Sequence, residues 1–285
     1  MTFSIVGHDP EAGTLGVGIA SRSFGVGRDC AWARAGVGAI ATQSFTDVAY
    51  GPLGLELLAA GRSPELALAG LVEADPRARF RQAGIVAANG ASAAHTGDQC
   101  VPAAGHRVGA GFAAQANMAV SERVWEELAD AFAASTGTLA ARLLAALDAG
   151  RAAGGDWRGL RSAALLVVGE PSPRPWESPL VDVRVDDHDD PLGELRRLLR
   201  LEEWFTRLGS IGPGSSVEEE VEAALAAGAE EPDPTWAALY AAAAGGDVQA
   251  ARAQFERLVK REPRYAEIAR RLPGIAGVVG LEAVE

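Results

Sequence analysis

Cysteine and lysine are nearly missing from this chain: 285 residues hold two cysteines, Cys30 and Cys100, and one lysine, Lys260. Two cysteines are too few for a disulfide framework, so the expected compartment is reducing, the cytoplasm. Neither sits in an activating pattern, so a catalytic thiol is not expected. Scarce lysine beside many arginines and heavy alanine use fits a GC-rich genome. The net charge is -12 and no basic stripe is present, which argues against nucleic acid and disfavours an anionic membrane surface. No basic leader with an apolar core opens the chain. No apolar run approaches the length of a spanning helix, the most apolar being about residues 163–169. The Gly-rich pieces 36–38 and 105–111 lack the Walker spacing and its Lys-Ser/Thr ending, so no nucleotide site is expected.

What the chain does have is a globular composition, 48% hydrophobic and 22% charged, long enough for one large domain and a smaller one. Residues 2–8 and 14–21 read as two short strands joined by Asp9-Pro10-Glu11-Ala12-Gly13, a hairpin. Residues 36–44 read as a third strand, small and apolar throughout. A helix is expected over 53–60, closed by Gly61, and a second from Ser63-Pro64, with Ser at the N-cap and Pro at N1. Asn89-Gly90 marks a hairpin between strands 81–88 and 91–96. Residues 97–117 mix loop and strand. Ser121 is expected to cap a helix to about Ala134, and another runs over 138–149. A strand follows over 162–168. In 181–186 the valines face one way and Asp182, Arg184 and Asp186 the other.

After Asp190-Pro191 only helices are expected. The domains are therefore read as 2–190 and 191–285. The second has a linker at about 209–215, a capping box at Ser216-Val217-Glu218-Glu219 and a helical hairpin around Gly245-Gly246. Ala243, Ala250, Ala251 and Phe255 have tetratricopeptide-like spacing within helices spanning about 234–271.

Met1 precedes a threonine, small enough for methionine aminopeptidase to remove the Met. Thr2 would then carry its own α-amine, with a pKa of about 7.7–8.0, beside its hydroxyl, so one residue supplies nucleophile and base. The hairpin ending in Ser21-Arg22, followed by Arg34 and Thr42-Gln43-Ser44, resembles the N-terminal-nucleophile hydrolases. More specific motifs are Trp32-Ala33-Arg34-Ala35-Gly36, Tyr50-Gly51-Pro52, Arg81-Gln82-Ala83-Gly84, His95-Thr96-Gly97-Asp98, Gly105-His106, Ala114-Gln115-Ala116-Asn117 and Arg161-Ser162. With the run 181–188, they are similar to the bacterial domain-of-unknown-function family numbered 1028, assigned to that hydrolase superfamily. The resemblance covers about residues 2–190. It implies an α+β fold, a four-layer α/β/β/α sandwich, and attack by Thr2 on a small amide or related C–N bond, with no cofactor. Members often carry a C-terminal tail described as peptidoglycan-binding, a role 191–285 could fill. Where the proteasome type has Asp before the Ser-Arg pair this chain has Ala20, and the following Lys is missing, Arg34 being the nearest cation. Arginine cannot lose its proton as lysine can.

The expected catalytic residues are Thr2, Arg22, Thr42 and Gln43. Arg22 would orient a substrate anion or stabilise an oxyanion, and donors at 42–44 would form the oxyanion hole. Tyr50, His95, His106, Gln115, Asn117 and Arg34 are the expected substrate-binding residues; Arg34 could equally pair with a surplus acid, and the amides could be helix-entry groups. His95, Cys100 and His106 are zinc-type ligands, but their spacing matches no standard site and no metal is expected. The acids of Asp186-Asp187-His188-Asp189-Asp190 could hold a cation or form a solvated strand exit, and the exit is expected; a buried Arg-carboxylate network through Arg184 is a third reading. Two functions compete. One is an amidohydrolase, expected as a homodimer. The other is a catalytically silent binding protein whose helical tail contacts peptidoglycan or a protein partner. A metal hydrolase on His95 and His106 is a weaker third.

Overall fold

Alternation of small apolar residues produces two antiparallel sheets, seen in a computed structural model that describes residues 2–174, 177–208, 217–226, 228–229 and 233–282. The chain opens with β1 (Thr2–Asp9) and β2 (Thr14–Ser21), the expected hairpin, with Thr2 opposite Ser21. Next come a short helix α1 (Val26–Cys30) and the strands β3 (Ala31–Arg34) and β4 (Gly38–Ser44). The expected third strand is thus two, because Gly36 at φ 68 turns the chain back on itself. Helix α2 (Tyr50–Ala59) starts three residues before the expected 53. In α3 (Pro64–Ala74) the Ser63 side chain accepts from the Leu66 N–H at 3.4 Å, as the cap requires.

Strands β5 (Arg81–Ala87) and β6 (Ser92–Thr96) form the Asn89-Gly90 hairpin, and β7 (Gly105–Gly109) and β8 (Phe112–Asn117) lie in the Gly-rich stretch. Helix α4 (Arg123–Ala134) has Glu122 rather than Ser121 at its N-cap, with no side-chain cap bond. The expected cap is corrected: Ser121 accepts a turn bond from the Val124 N–H through its backbone carbonyl. Helix α5 (Leu139–Ala152) is capped by Thr138; β9 (Ser162–Val168) and β10 (Pro179–Val185) complete the strands. One sheet has the order β10-β9-β2-β1-β8-β7 and the other β3-β4-β5-β6.

Period-two alternation assigns each strand residue to a face. Val6, Leu15, Val17 and Ile19 of the first sheet meet Ala39, Ala41 and Val86 of the second in one apolar cluster. On its other face the first sheet meets α4 and α5; Phe132 and Leu143 fill the space over Gly7 and Gly16. The second sheet meets α2 and α3 there, through Ile40, Leu55, Leu58, Leu68 and Ile85. Each such side chain contributes about 1.5–3 kcal/mol when fully buried.

The chain divides into two compact units, Met1–Arg196 and Arg197–Glu285. Helix α6 (Pro191–Leu208) runs through the division. The second unit also holds α7 (Val217–Ala226), α8 (Asp233–Ala244), α9 (Val248–Arg261), α10 (Tyr265–Arg270) and α11 (Pro273–Val279), the last not foreseen. Leu239, Ala242, Ala251, Leu258 and Ile275 form its core. Asp247 caps α9 by accepting from the Ala250 N–H at 2.9 Å, which stops the α8–α9 turn where expected. The expected linker 209–215, Ser216 of the capping box and Met1 lie outside the described residues.

Candidate functional site around Thr2

At the Thr2 end of the strands, the residues facing the opposite sheet change from aliphatic to polar. Thr2 and Ser4 of β1, Ser21 of β2, Gln115 and Asn117 of β8, Gln43 of β4 and Gln82 of β5 are all buried. Register brings them together: Thr2 lies between Ser21 and Asn117 in one sheet, and Gln43 lies opposite Gln82 in the other.

Buried amides must be paired, since an unmet donor costs about 1–3 kcal/mol. Gln43 Nε2 donates to the Thr2 carbonyl at 3.1 Å and to Gln82 Oε1 at 2.7 Å. Asn117 Nδ2 donates to the same two acceptors, at 3.3 and 2.9 Å. Gln82 is the hub. Its Oε1 accepts from both amides, and its Nε2 is offered to Thr96 Oγ1 at 2.9 Å, Gly105 O at 3.1 Å and Ala116 O at 2.8 Å. Ser4 Oγ donates to Gln43 Oε1 at 2.7 Å and accepts from Gln115 Nε2 at 2.6 Å. Gln115 Oε1 is buried without a partner. It lies over Gly84, where an added Cβ would sit 2.2 Å from it.

The Thr2 hydroxyl is 3.0 Å from Ser21 Oγ, and Ser21 Oγ also accepts from the Ser23 N–H at 3.0 Å. Just past Ser21, buried Asp156 accepts from the Arg22 backbone N–H at 3.2 Å and from the Arg158 N–H at 2.8 Å. Among the described residues, two non-glycine residues have left-handed backbones, Ser44 (φ 73) and Met118 (φ 50), each directly after an amide of the cluster. Such backbone strain collects at functional sites.

Four of the expected site residues, Thr2, Gln43, Gln115 and Asn117, therefore converge. Their amides hold Thr2 and Ser4. Thr42, adjacent to Gln43, points to the opposite face and donates to Asp47 O at 3.1 Å. Tyr50 is on that side too, in the cluster with α2 and α3. Its hydroxyl is 3.4 Å from Asp75, and burial, then Asp75, pushes its pKa up to about 12. Arg81 bonds Asp75 at 2.6 Å there, and chiefly that guanidinium lowers the Asp75 pKa. Arg34 pairs with Glu56 at 2.5 Å at the far end of β4 from Gln43, about 17 Å of strand away. The Arg22 side chain is exposed, and its charge adds to that of Arg161, the main cause, in lowering the Asp187 pKa.

His95 Nε2 lies 3.0 Å from Ala78 O. His106 Nδ1 lies 2.9 Å from Thr96 Oγ1, one hydrogen bond from the hub. Withdrawal from water, then the neighbouring His95, lowers the His106 pKa. His106 borders a 480 Å³ cavity with Thr96, Asp98, Gly105 and Trp125. Cys100 is buried and donates to Arg81 O at 3.3 Å; burial raises its pKa. Among the described residues no three His, Cys, Asp or Glu side chains form a metal-binding group. The acidic run is exposed, with Asp187 on Arg161 at 2.6 Å and Asp190 on Arg151 at 2.5 Å. Arg184 pairs with Asp182 at 2.8 Å at the surface, so a buried network there is ruled out.

Ser4, Ser21, Gln82 and Asp156 were not singled out in the sequence as site residues. Ser4 could have been, since it shares the face of Thr2; the others become visible only once strand register is known.

Comparison with known proteins agrees with the motifs. No curated protein matches the chain. The crystal structure of protein SPO2555 from Silicibacter pomeroyi, attributed to DUF1028, is similar at 34% identity and a TM-score of 0.64, over 70% of this chain and 87% of that one. Residues 2–195 match the family of unknown function DUF1028, and the chain belongs to that family.

Proposed function

We propose that the protein is a hydrolase of the N-terminal-nucleophile type, cleaving a small amide or related C–N bond with Thr2 after Met1 is removed. The observation that carries this reading is the grip on Thr2: two side-chain amides from different sheets hold its carbonyl and Ser21 meets its hydroxyl. A strand-head threonine needs no such fixing to pack, whereas a nucleophile gains from it. The Thr2 Oγ attacks the amide carbon and its proton passes to the α-amine. The amine then protonates the leaving nitrogen, and water releases the acid and restores the hydroxyl. Ser21 Oγ, 3.0 Å from Thr2 Oγ1, accepts from the Ser23 N–H; with Ser21 as donor in the bond it shares with Thr2, the Thr2 proton is left for the amine.

In this reading the sheets and their helix pairs make a four-layer α/β/β/α sandwich, supported by the apolar cluster that both sheets share. The helical tail serves as a contact for peptidoglycan or a protein partner, and the active form is a cytoplasmic homodimer. No described helix is long and apolar enough to cross a membrane.

The test has two steps. Intact mass of the protein from a bacterial cytoplasm should show Met1 gone, and an amide-substrate screen should yield turnover that Thr2→Ala abolishes with folding intact. Quantitative retention of Met1, or activity that survives Thr2→Ala, overturns the proposal. One observation favours the silent binding protein instead: the side chain that meets the Thr2 hydroxyl is a neutral serine rather than an acid or a lysine.

A further inference from the structure

The 480 Å³ cavity beside β6 and β7 is large enough for a small organic ligand and has a mixed wall. Trp125 supplies the aromatic part. Its ring packs so closely on Gly105 that a Cβ there would lie 2.5 Å from it, so the indole is fixed. The polar part is rich in acceptors. Asp98 brings an exposed carboxylate, and no arginine or lysine lines the wall. The cation next along β7, Arg107, is engaged by Glu126 at 3.0 Å and Asp130 at 2.7 Å. Withdrawal from water lowers the His106 pKa and so disfavours a competing imidazolium there.

We propose that this cavity binds a small molecule carrying a protonated amine on an apolar or aromatic body, the ammonium against Asp98 and His106 and the body against Trp125. The net charge of -12 favours approach of such a cation. The inference concerns binding alone and does not depend on Thr2 chemistry.

The test is calorimetric titration of the full chain with three probes of one shape: phenethylamine, 2-phenylethanol and 3-phenylpropionate. The amine should bind tightest, with amide chemical-shift changes at Thr96, Gly97 and His106. Asp98→Asn, an exposed change that leaves packing alone, should weaken the amine about tenfold or more and leave the alcohol unchanged. Ala104→Leu, which adds bulk to the cavity wall, should weaken binding of all three. The proposal is overturned if the carboxylate matches the amine, if Asp98→Asn does not weaken the amine, if the shifts fall elsewhere, or if no probe binds at millimolar concentration.

Discussion

Along β1, β2, β4, β5 and β8 the residues facing the opposite sheet change character within two positions. Val6, Ile19, Ala41, Gly84 and Ala113 give way to Ser4, Ser21, Gln43, Gln82 and Gln115. Both ends are equally dry, yet only one is held by side-chain hydrogen bonds. The apolar end supplies cohesion without direction. The amide end offsets its own desolvation through paired donors and acceptors, and what it adds is orientation. That asymmetry is what a site buried inside a fold should look like: the scaffold is oily where position is unimportant and amide-rich where one carbonyl must not move.

The two ends should respond differently to substitution. The largest loss is expected at the oily end, where Ile19→Ala should cost about 2–5 kcal/mol in urea unfolding while the Thr2 hydrogen bonds persist. At the amide end, Gln82→Leu strips the acceptor from Gln43 and Asn117 and should cost about 2–4 kcal/mol. Its combination with Asn117→Leu should cost less than the two single losses added, because one unpaired donor is removed; strict additivity would show that the hub is not a hub. Ser21→Ala should cost only about 1 kcal/mol and yet, in the hydrolase reading, should reduce turnover more than its stability effect suggests.

The smallest effect is at His106, whose pKa is lowered in the folded chain. The unfolded chain takes up the proton first, so this residue's stability contribution is complete above the unfolded value of about 6.5 and falls as pH drops through it toward the folded value. Imidazole proton shifts should titrate below pH 6.5, and His106→Gln should remove that part of the pH dependence. A midpoint at or above 6.5 would contradict the lowered value.

Much of the fold is legible in the sequence because local chemistry decides it. Asp9-Pro10 and Asn89-Gly90 can hardly be anything but turns, and Ser63-Pro64 and Thr138 cap helices as written. The short elements escape. Four residues of β3 carry no periodic signal, and α1, with Arg28 and Asp29 among five residues, has no capping side chain. The site is half legible for a different reason. Thr42 and Gln43 are neighbours of similar polarity, and which one faces Thr2 depends on a register that no local feature states. Gln82 stands in the motif Arg81-Gln82 but acquires a role only when β4 and β5 are paired. Arg81, its neighbour in that motif, is occupied with Asp75 on the far side of the sheet.

Gly84 sits beneath Gln115, and that contact has a consequence for how the sequence can drift. Any side chain at 84 would displace the Gln115 amide and with it the 2.6 Å bond to Ser4. The two positions are therefore not free to vary independently. Across descendants of this chain a residue larger than glycine at 84 should appear only alongside a shorter residue at 115, so the history of one position can be read from the other.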